Sequence, residues 1–263
     1  MDRSHNLFNT TSNDEVGAYM ERKIIKRMSP NHFNGRGGEI PIMIVNHITE
    51  GAILGAVSWL CNPKSKASAH YVVARNGDIY QLVDLRNGAW CNGTSIYSKG
   101  KYYYKNSTNS IVRGKAVNAN LFTVSIEHEG YSYQEGRGAL TEEQYQATLW
   151  LHRHIINEVK SIYGHDIVVD REHIIGHYEV APKEKPNCPG ALFPWDRLMR
   201  DLQNKGGGAM DKASRVKFDF NNKKFTVDGK LIDGHNYVQA RELLEKLGYT
   251  VGWDNALKEI KVK

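Results

Sequence analysis

The segment Leu121-Phe122-Thr123-Val124-Ser125-Ile126-Glu127-His128-Glu129 alternates polar and apolar residues with a period of two. Only an extended strand sorts such a sequence onto two faces. Thr123, Ser125, Glu127 and Glu129 fall on one face, and Val124, Ile126 and His128 on the other. A core strand with a polar face that carries carboxylates is a candidate active-site floor.

Other elements can be placed around it. Ile40-Pro41-Ile42-Met43-Ile44-Val45-Asn46-His47 is a nearly continuous apolar run and reads as a buried strand with His47 at its carboxyl end. Residues 51–60 carry a helix-like apolar face. The stretch 70–83 reads as a hairpin, with Asn76-Gly77 in the positive-φ positions of a type I′ turn. Thr141-Glu142-Glu143-Gln144 has the form of a reciprocal capping box at the start of a long helix, which Gly164 can end. Ile167-Val168-Val169 reads as a short strand.

Residues 1–19 are polar and read as an N-terminal extension, native or added. A main domain spans 20–205, a Gly-rich flexible linker 206–213, and a small α+β module 214–263. The module's pattern is a hairpin over 216–229, an amphipathic helix from Val238 to Leu247, and a strand pair at 250–254 and 258–262.

Lys plus Arg number 35 against 29 Asp plus Glu, a formal net charge of +6. The excess suits an anionic partner, with nucleic acid, phospholipid and wall polymer all open. No apolar run approaches the ~20 residues of a membrane span, and no nucleic-acid motif is present. The first residues lack the apolar segment of a secretory signal, so the expectation is a product kept inside the cell until release. Three scattered cysteines (Cys61, Cys91 and Cys188) are too few for a disulfide framework.

His47, His177 and Cys188 are candidate metal ligands at element ends. Two imidazoles and a thiolate suit catalytic Zn²⁺, which keeps its fourth position for water or substrate. Spacing alone does not select them, because eleven histidines offer many triples and a buried structural histidine is a common outcome. His173 lies four residues before His177. Gly176 disfavours a helix there, so His173 reads as structural. His128 reads as a core histidine, Cys61 and Cys91 as small hydrophobes, and Arg22, Lys23, Lys26 and Arg27 as a solvated surface. Tyr102-Tyr103-Tyr104 fits a glycan groove or ordinary loop packing equally well.

Six motifs occur in a familiar order: Val45-Asn46-His47, Ser68-Ala69-His70-Tyr71, Ala89-Trp90, Ser125 to Gly130, Gly176-His177-Tyr178-Glu179-Val180-Ala181-Pro182 and Cys188-Pro189-Gly190. Over roughly residues 24–204 the chain resembles the zinc-dependent N-acetylmuramoyl-L-alanine amidases of the amidase-2 family. That family includes peptidoglycan recognition proteins and phage endolysins. The resemblance implies an α/β fold, a central mixed β-sheet flanked by helices with a zinc groove at one end. It implies His47, His177 and Cys188 as zinc ligands and Glu127 as the acid that acts on the metal-activated water. It also suggests Lys185 as a stabiliser of the oxyanion.

Three positions depart from the family pattern. Ala69 stands where some members carry a catalytic tyrosine. Trp90-Cys91 replaces a Trp-His pair. Pro186 occupies the usual lysine position, which leaves Lys185 to act through a one-residue shift. The bond cut, by resemblance, is the amide between the lactyl carbonyl of N-acetylmuramic acid and L-alanine.

Residues 214–263 resemble the copper amine oxidase-like N-terminal (stalk) module of clostridial wall proteins. His235 is the only histidine there and nothing suggests copper. The expected partners are bacterial peptidoglycan and, through the module, an anionic wall polymer, with neither nucleic acid nor membrane. The expected setting is a phage endolysin for a Gram-positive, clostridial-type host, in the host cytoplasm until lysis and then at the wall. The alternatives are a host autolysin or germination amidase, or a non-catalytic peptidoglycan-binding protein.

Overall fold

The computed structural model describes residues 22–204, apart from 94–96, 99–100, 103 and 134–135. Within 214–262 it describes all but 221–222, 233–234, 239 and 255–258. By contacts the chain forms two compact units, Met1–Trp195 and Asp196–Lys263. The N-terminal extension and the Gly-rich linker lie outside the described residues.

The first unit runs β1 (Ile24–Lys26), β2 (His32–Phe33), β3 (Met43–Ile48), α1 (Ile53–Leu60), β4 (Tyr71–Val73), β5 (Ile79–Gln81), β6 (Gly88–Ala89), β7 (Tyr97–Ser98) and β8 (Lys101–Tyr102). It continues with α2 (Ser110–Lys115), α3 (Ala119–Phe122), β9 (Thr123–His128), α4 (Glu142–Tyr163), β10 (Ile174–Gly176) and α5 (His177–Val180), and α6 (Trp195–Gln203) begins at its last residue. The main sheet has the order β1-β5-β4-β9-β3-β10. β4, β9, β3 and β10 run parallel, while β5 pairs antiparallel with β4. This is the mixed sheet flanked by helices that the family resemblance implied.

Both faces are covered, so β3 is buried at every position, including the polar Asn46 and His47 near its carboxyl end. Met43, Val45 and Ile175 pack with Tyr104, Val112, Phe122 and Val180 on one face. Each fully buried aliphatic side chain of this kind contributes about 1.5–3 kcal/mol. On the other face α4 is tied down by Gln144, whose amide donates to the carbonyls of Val73 (3.0 Å) and Glu129 (3.1 Å).

Three local expectations change. The hairpin forms, but only Gly77 has positive φ (+87°), and its N–H donates to the Ala74 carbonyl (2.9 Å). The connection is therefore a type I turn closed by a left-handed glycine rather than a type I′ turn. The capping box is half made. The Thr141 hydroxyl accepts from the Gln144 N–H (3.1 Å), but the Gln144 side chain goes to the sheet instead. Ile167-Val168-Val169 is irregular, and the ladder beside β3 is taken instead by Ile174–Gly176. Ile167 is buried and Val168 is exposed.

In the second unit β11 (Ser214–Phe220), β12 (Lys223–Ile232) and β13 (His235–Val238) form an antiparallel sheet. α7 (Ala240–Lys246) follows, and β14 (Val251–Asp254) pairs with β15 (Glu259–Val262). The helix ends at Gly248, whose φ is +94°.

Candidate metal centre and active site

The carboxyl ends of parallel strands are where open α/β sheets place their sites, and the register here brings three such ends together. His47 on β3 pairs with Glu127 on β9. Asn46 pairs with Gly176 on β10, so the next residue, His177, stands beside His47. The two Nδ1 atoms are 2.9 Å apart. The Cys188 loop completes the group, and one ligand atom each from His47, His177 and Cys188 lies within 4.8 Å of the others.

Local chemistry holds this loop in place. Glu179 accepts from the Gly176 N–H (2.8 Å) and pairs with Arg171 (2.7 Å), which fixes the turn that starts at His177. The Tyr178 N–H donates to the Cys188 carbonyl (2.9 Å), so the loop of one ligand is bonded to the turn of another. Gly190 has φ +123°, and a Cβ there would collide with the Arg137 carbonyl and Gly138. Only glycine lets the Cys188-Pro189-Gly190 segment lie that close. From behind, the His128 ring is hydrogen-bonded to the His47 backbone carbonyl (2.8 Å), which anchors the end of β3.

A cleft of about 340 Å³ opens over this group. Its lining includes Trp90, Cys91, Glu127, Lys185 and all three candidate ligands. Burial, and then the neighbouring His177, hold the His47 imidazole well below its ordinary range. Burial and then the Lys185 ammonium take His177 down to about 3. Both rings are thus neutral, the form that binds a metal. Burial, and then Glu127, push the Cys188 thiol up. A cation must therefore displace its proton. Burial raises Glu127 to about 7, against the opposing pulls of the Cys91 thiol and Lys185. Glu127 Oε2 is buried with no hydrogen-bond partner among the described residues, as is Trp90 Nε1.

The structure thus gathers His47, His177, Cys188, Glu127 and Lys185 around one cleft. Two imidazoles and a thiol that converge this closely, beside an unpartnered carboxylate oxygen, fit zinc by donor type. His173 stands apart, paired with Asp170 (2.7 Å), as a structural residue. His128 is a core histidine, as its strand face implied, and His152 is fully buried on α4. His70 is spent on the fold: its Nδ1 accepts from the Ser125 N–H (3.0 Å) and its Nε2 lies 2.9 Å from the Arg36 guanidinium. Tyr104 is a core residue whose hydroxyl donates to the Asn92 carbonyl (2.8 Å). Tyr103 and the side chain of Tyr102 lie outside the described residues.

Cys91 is not the small hydrophobic filler that its sequence context suggests, because it lines the cleft. Its Sγ is 3.5 Å from His47 Nε2 and 3.7 Å from Glu127 Oε1. The signal for it was the Trp90-Cys91 departure from the family's Trp-His pair.

The sequence profile of the N-acetylmuramoyl-L-alanine amidase (amidase-2) family matches residues 37–191. N-acetylmuramoyl-L-alanine amidase A of Achromobacter lyticus is 27% identical over 174 residues, 63% of this chain and 84% of that protein. The 1,6-anhydro-N-acetylmuramyl-L-alanine amidase AmpD of Haemophilus influenzae is 27% identical over 138 residues, 52% of this chain and 60% of that enzyme. A crystal structure of a selenomethionine AmpD derivative covers 68% of this chain and 93% of its own at 23% identity, with a TM-score of 0.48.

Proposed function

The chain belongs to the N-acetylmuramoyl-L-alanine amidase family and is a peptidoglycan amidase; on that premise we propose that it cuts the lactyl–L-alanine amide with His47, His177 and Cys188 as zinc ligands and Glu127 as general base. The observation that carries this reading is the convergence of two neutral imidazoles and a thiol within 4.8 Å, beside a buried, unpartnered carboxylate oxygen. Zinc held there would supply Lewis acidity, polarising the scissile carbonyl and bringing the pKa of water toward ~7.

The side chains do the rest. Glu127 accepts a proton from the attacking water as its oxygen bonds to the lactyl carbonyl carbon. It returns the proton to the L-alanine nitrogen as the carbon–nitrogen bond breaks. A carboxylate raised to about 7 is matched to taking and giving a proton near neutrality. Lys185, on the rim of the same cleft, places its ammonium to offset the oxyanion of the tetrahedral intermediate.

The setting we propose is a phage endolysin acting on a Gram-positive, clostridial-type wall after release from the host cytoplasm. The support is the pairing of an amidase with a 214–263 segment that resembles a wall-protein module, whose charge suits an anionic polymer.

The deciding experiment is digestion of purified Gram-positive peptidoglycan with and without a chelator, read by mass spectrometry. Free L-alanine amino termini that vanish on chelation and return with zinc are expected. New reducing sugars, or binding without cleavage, would overturn the reading. Deleting 206–263 is expected to weaken binding to intact walls more than turnover of soluble muropeptide, and equal binding by the two forms would remove the targeting role.

A further inference from the structure

Glu127 has one hydrogen-bond donor among the described residues, and it is Cys91. The thiol donates to Oε1 across 3.7 Å, and Oε2 has no partner. The same sulfur lies 3.5 Å from His47 Nε2 and 3.7 Å from Nδ1. It therefore fills the space between the base and the first candidate ligand.

The backbone holds it there. The Cys91 N–H donates to Asn120 Oδ1 (3.0 Å), and the Asn92 N–H donates to the same oxygen (2.6 Å). The Asn92 side-chain amide then donates to the hydroxyls of Thr123 and Ser125, both at 3.0 Å. The cysteine is thus clamped along the polar face of β9, one step before Glu127. A thiol is a weak donor. It can fix the direction of a carboxylate without binding it as firmly as a backbone amide or a guanidinium would.

We propose that Cys91 is a positioning residue for the reaction. Its thiol holds Oε1 of Glu127, leaving Oε2 aimed at the water, and its sulfur keeps the His47 ring and the carboxylate apart. The inference rests on Glu127 acting as the base. It goes beyond that assignment in giving a role to the side chain that replaces the family's histidine. Cys91, His47 and Glu127 are also a possible donor set for a cation. A thiol already hydrogen-bonded to the carboxylate favours the positioning role, and the cobalt experiment below distinguishes the two.

The test uses the full chain carrying Cys61→Ser, which removes the remaining thiol outside the cleft. In Cys91→Ala, kcat on a soluble muropeptide is expected to fall about 10–100-fold, the usual cost of losing such a partner. KM is expected to stay near the parent value. Cys91→Ser, which can still donate to Oε1, is expected to recover most of the loss. In a Cys188→Ser background, Co²⁺ is expected to give no thiolate-to-metal absorption band, because Cys91 is not a ligand. Cys188→Ala serves equally if the serine variant does not fold.

Three results would each overturn the proposal: an alanine variant as fast as the parent, a serine variant as slow as the alanine one, or a thiolate band arising from Cys91. A parent that releases no L-alanine termini would instead refute the amidase reading itself, and the cobalt spectra would still report whether Cys91 binds metal.

Discussion

Glu127 and Glu129 are two residues apart, have the same chemistry and share a face by simple alternation, yet the fold treats them in opposite ways. Glu129 lies just past the end of β9 and its carboxylate is fully occupied. Oε1 accepts from the Ile53 N–H at the start of α1 (3.0 Å), and Oε2 accepts from the Arg75 N–H in the hairpin turn (2.8 Å). Among the described residues Glu127 has a single weak thiol donor and one oxygen with no partner. A buried polar group left unmatched costs free energy, and this cost supports the role proposed for Glu127 in the cleft. A satisfied carboxylate builds the fold, and an unsatisfied one is available for chemistry.

Four expected outcomes break or sharpen this contrast, from the largest effect to the smallest. His47→Ala or Cys188→Ser should reduce release of L-alanine termini to the uncatalysed background, with circular dichroism unchanged. Full turnover by a chelated, zinc-free enzyme would sink the metal assignment. Next, Glu127→Gln should lose about 10²–10⁴ in kcat, the usual share of a general base. Its melting temperature should stay level or rise, since a buried carboxylate is relieved; a marked fall would make Glu127 a structural group.

The third outcome concerns the opposite face of β9, where α4 carries His152. Burial lowers this histidine from 6.5 to about 4. Above pH 6.5 the ring is neutral in both folded and unfolded chains and has no effect on the balance. As pH falls below 6.5, the unfolded chain takes up a proton that the native ring refuses. Stability is therefore lost between 6.5 and about 4, by up to about 3 kcal/mol. Replacing His152 with leucine should flatten that part of the pH–stability curve in denaturant titrations, and an unchanged slope would show that the ring does not titrate as placed. Last, Glu129→Ala should cost about 2 kcal/mol of stability through the two lost charge-assisted bonds, with kcat per folded molecule near the parent value. A large kcat loss without a stability loss would reverse the roles assigned to the two glutamates.

Much of the site was legible from residue order. The period of two set Thr123, Ser125 and Glu127 on one face, and Asn92 and Cys91 are found against that face. The motif resemblance pointed to His47, His177 and Cys188, and the register of β3 with β10 brings them together. Lys185 lines the cleft despite its one-residue offset, on a segment whose backbone is tied by the Lys185 N–H to the Ala181 carbonyl (2.8 Å). What was missed turns on partners distant in the chain. Cys91 looked like filler because its neighbours, Glu127 and His47, are 36 and 44 residues away. Gln144 looked like a helix cap until the Val73 carbonyl, 71 residues back, claimed its amide.

The sequence by itself determined much of the local alphabet of this protein: the extended runs that carry His47 and Glu127, which faces are apolar, where a helix begins at Thr141 and ends at Gly164. These follow from periodicity, capping and backbone sterics, all of which act within a few residues. Only the tertiary structure decided which polar groups find partners. That competition is settled by which strand lies beside which, and it gave each Glu129 oxygen a backbone donor while leaving Glu127 Oε2 with none among the described residues.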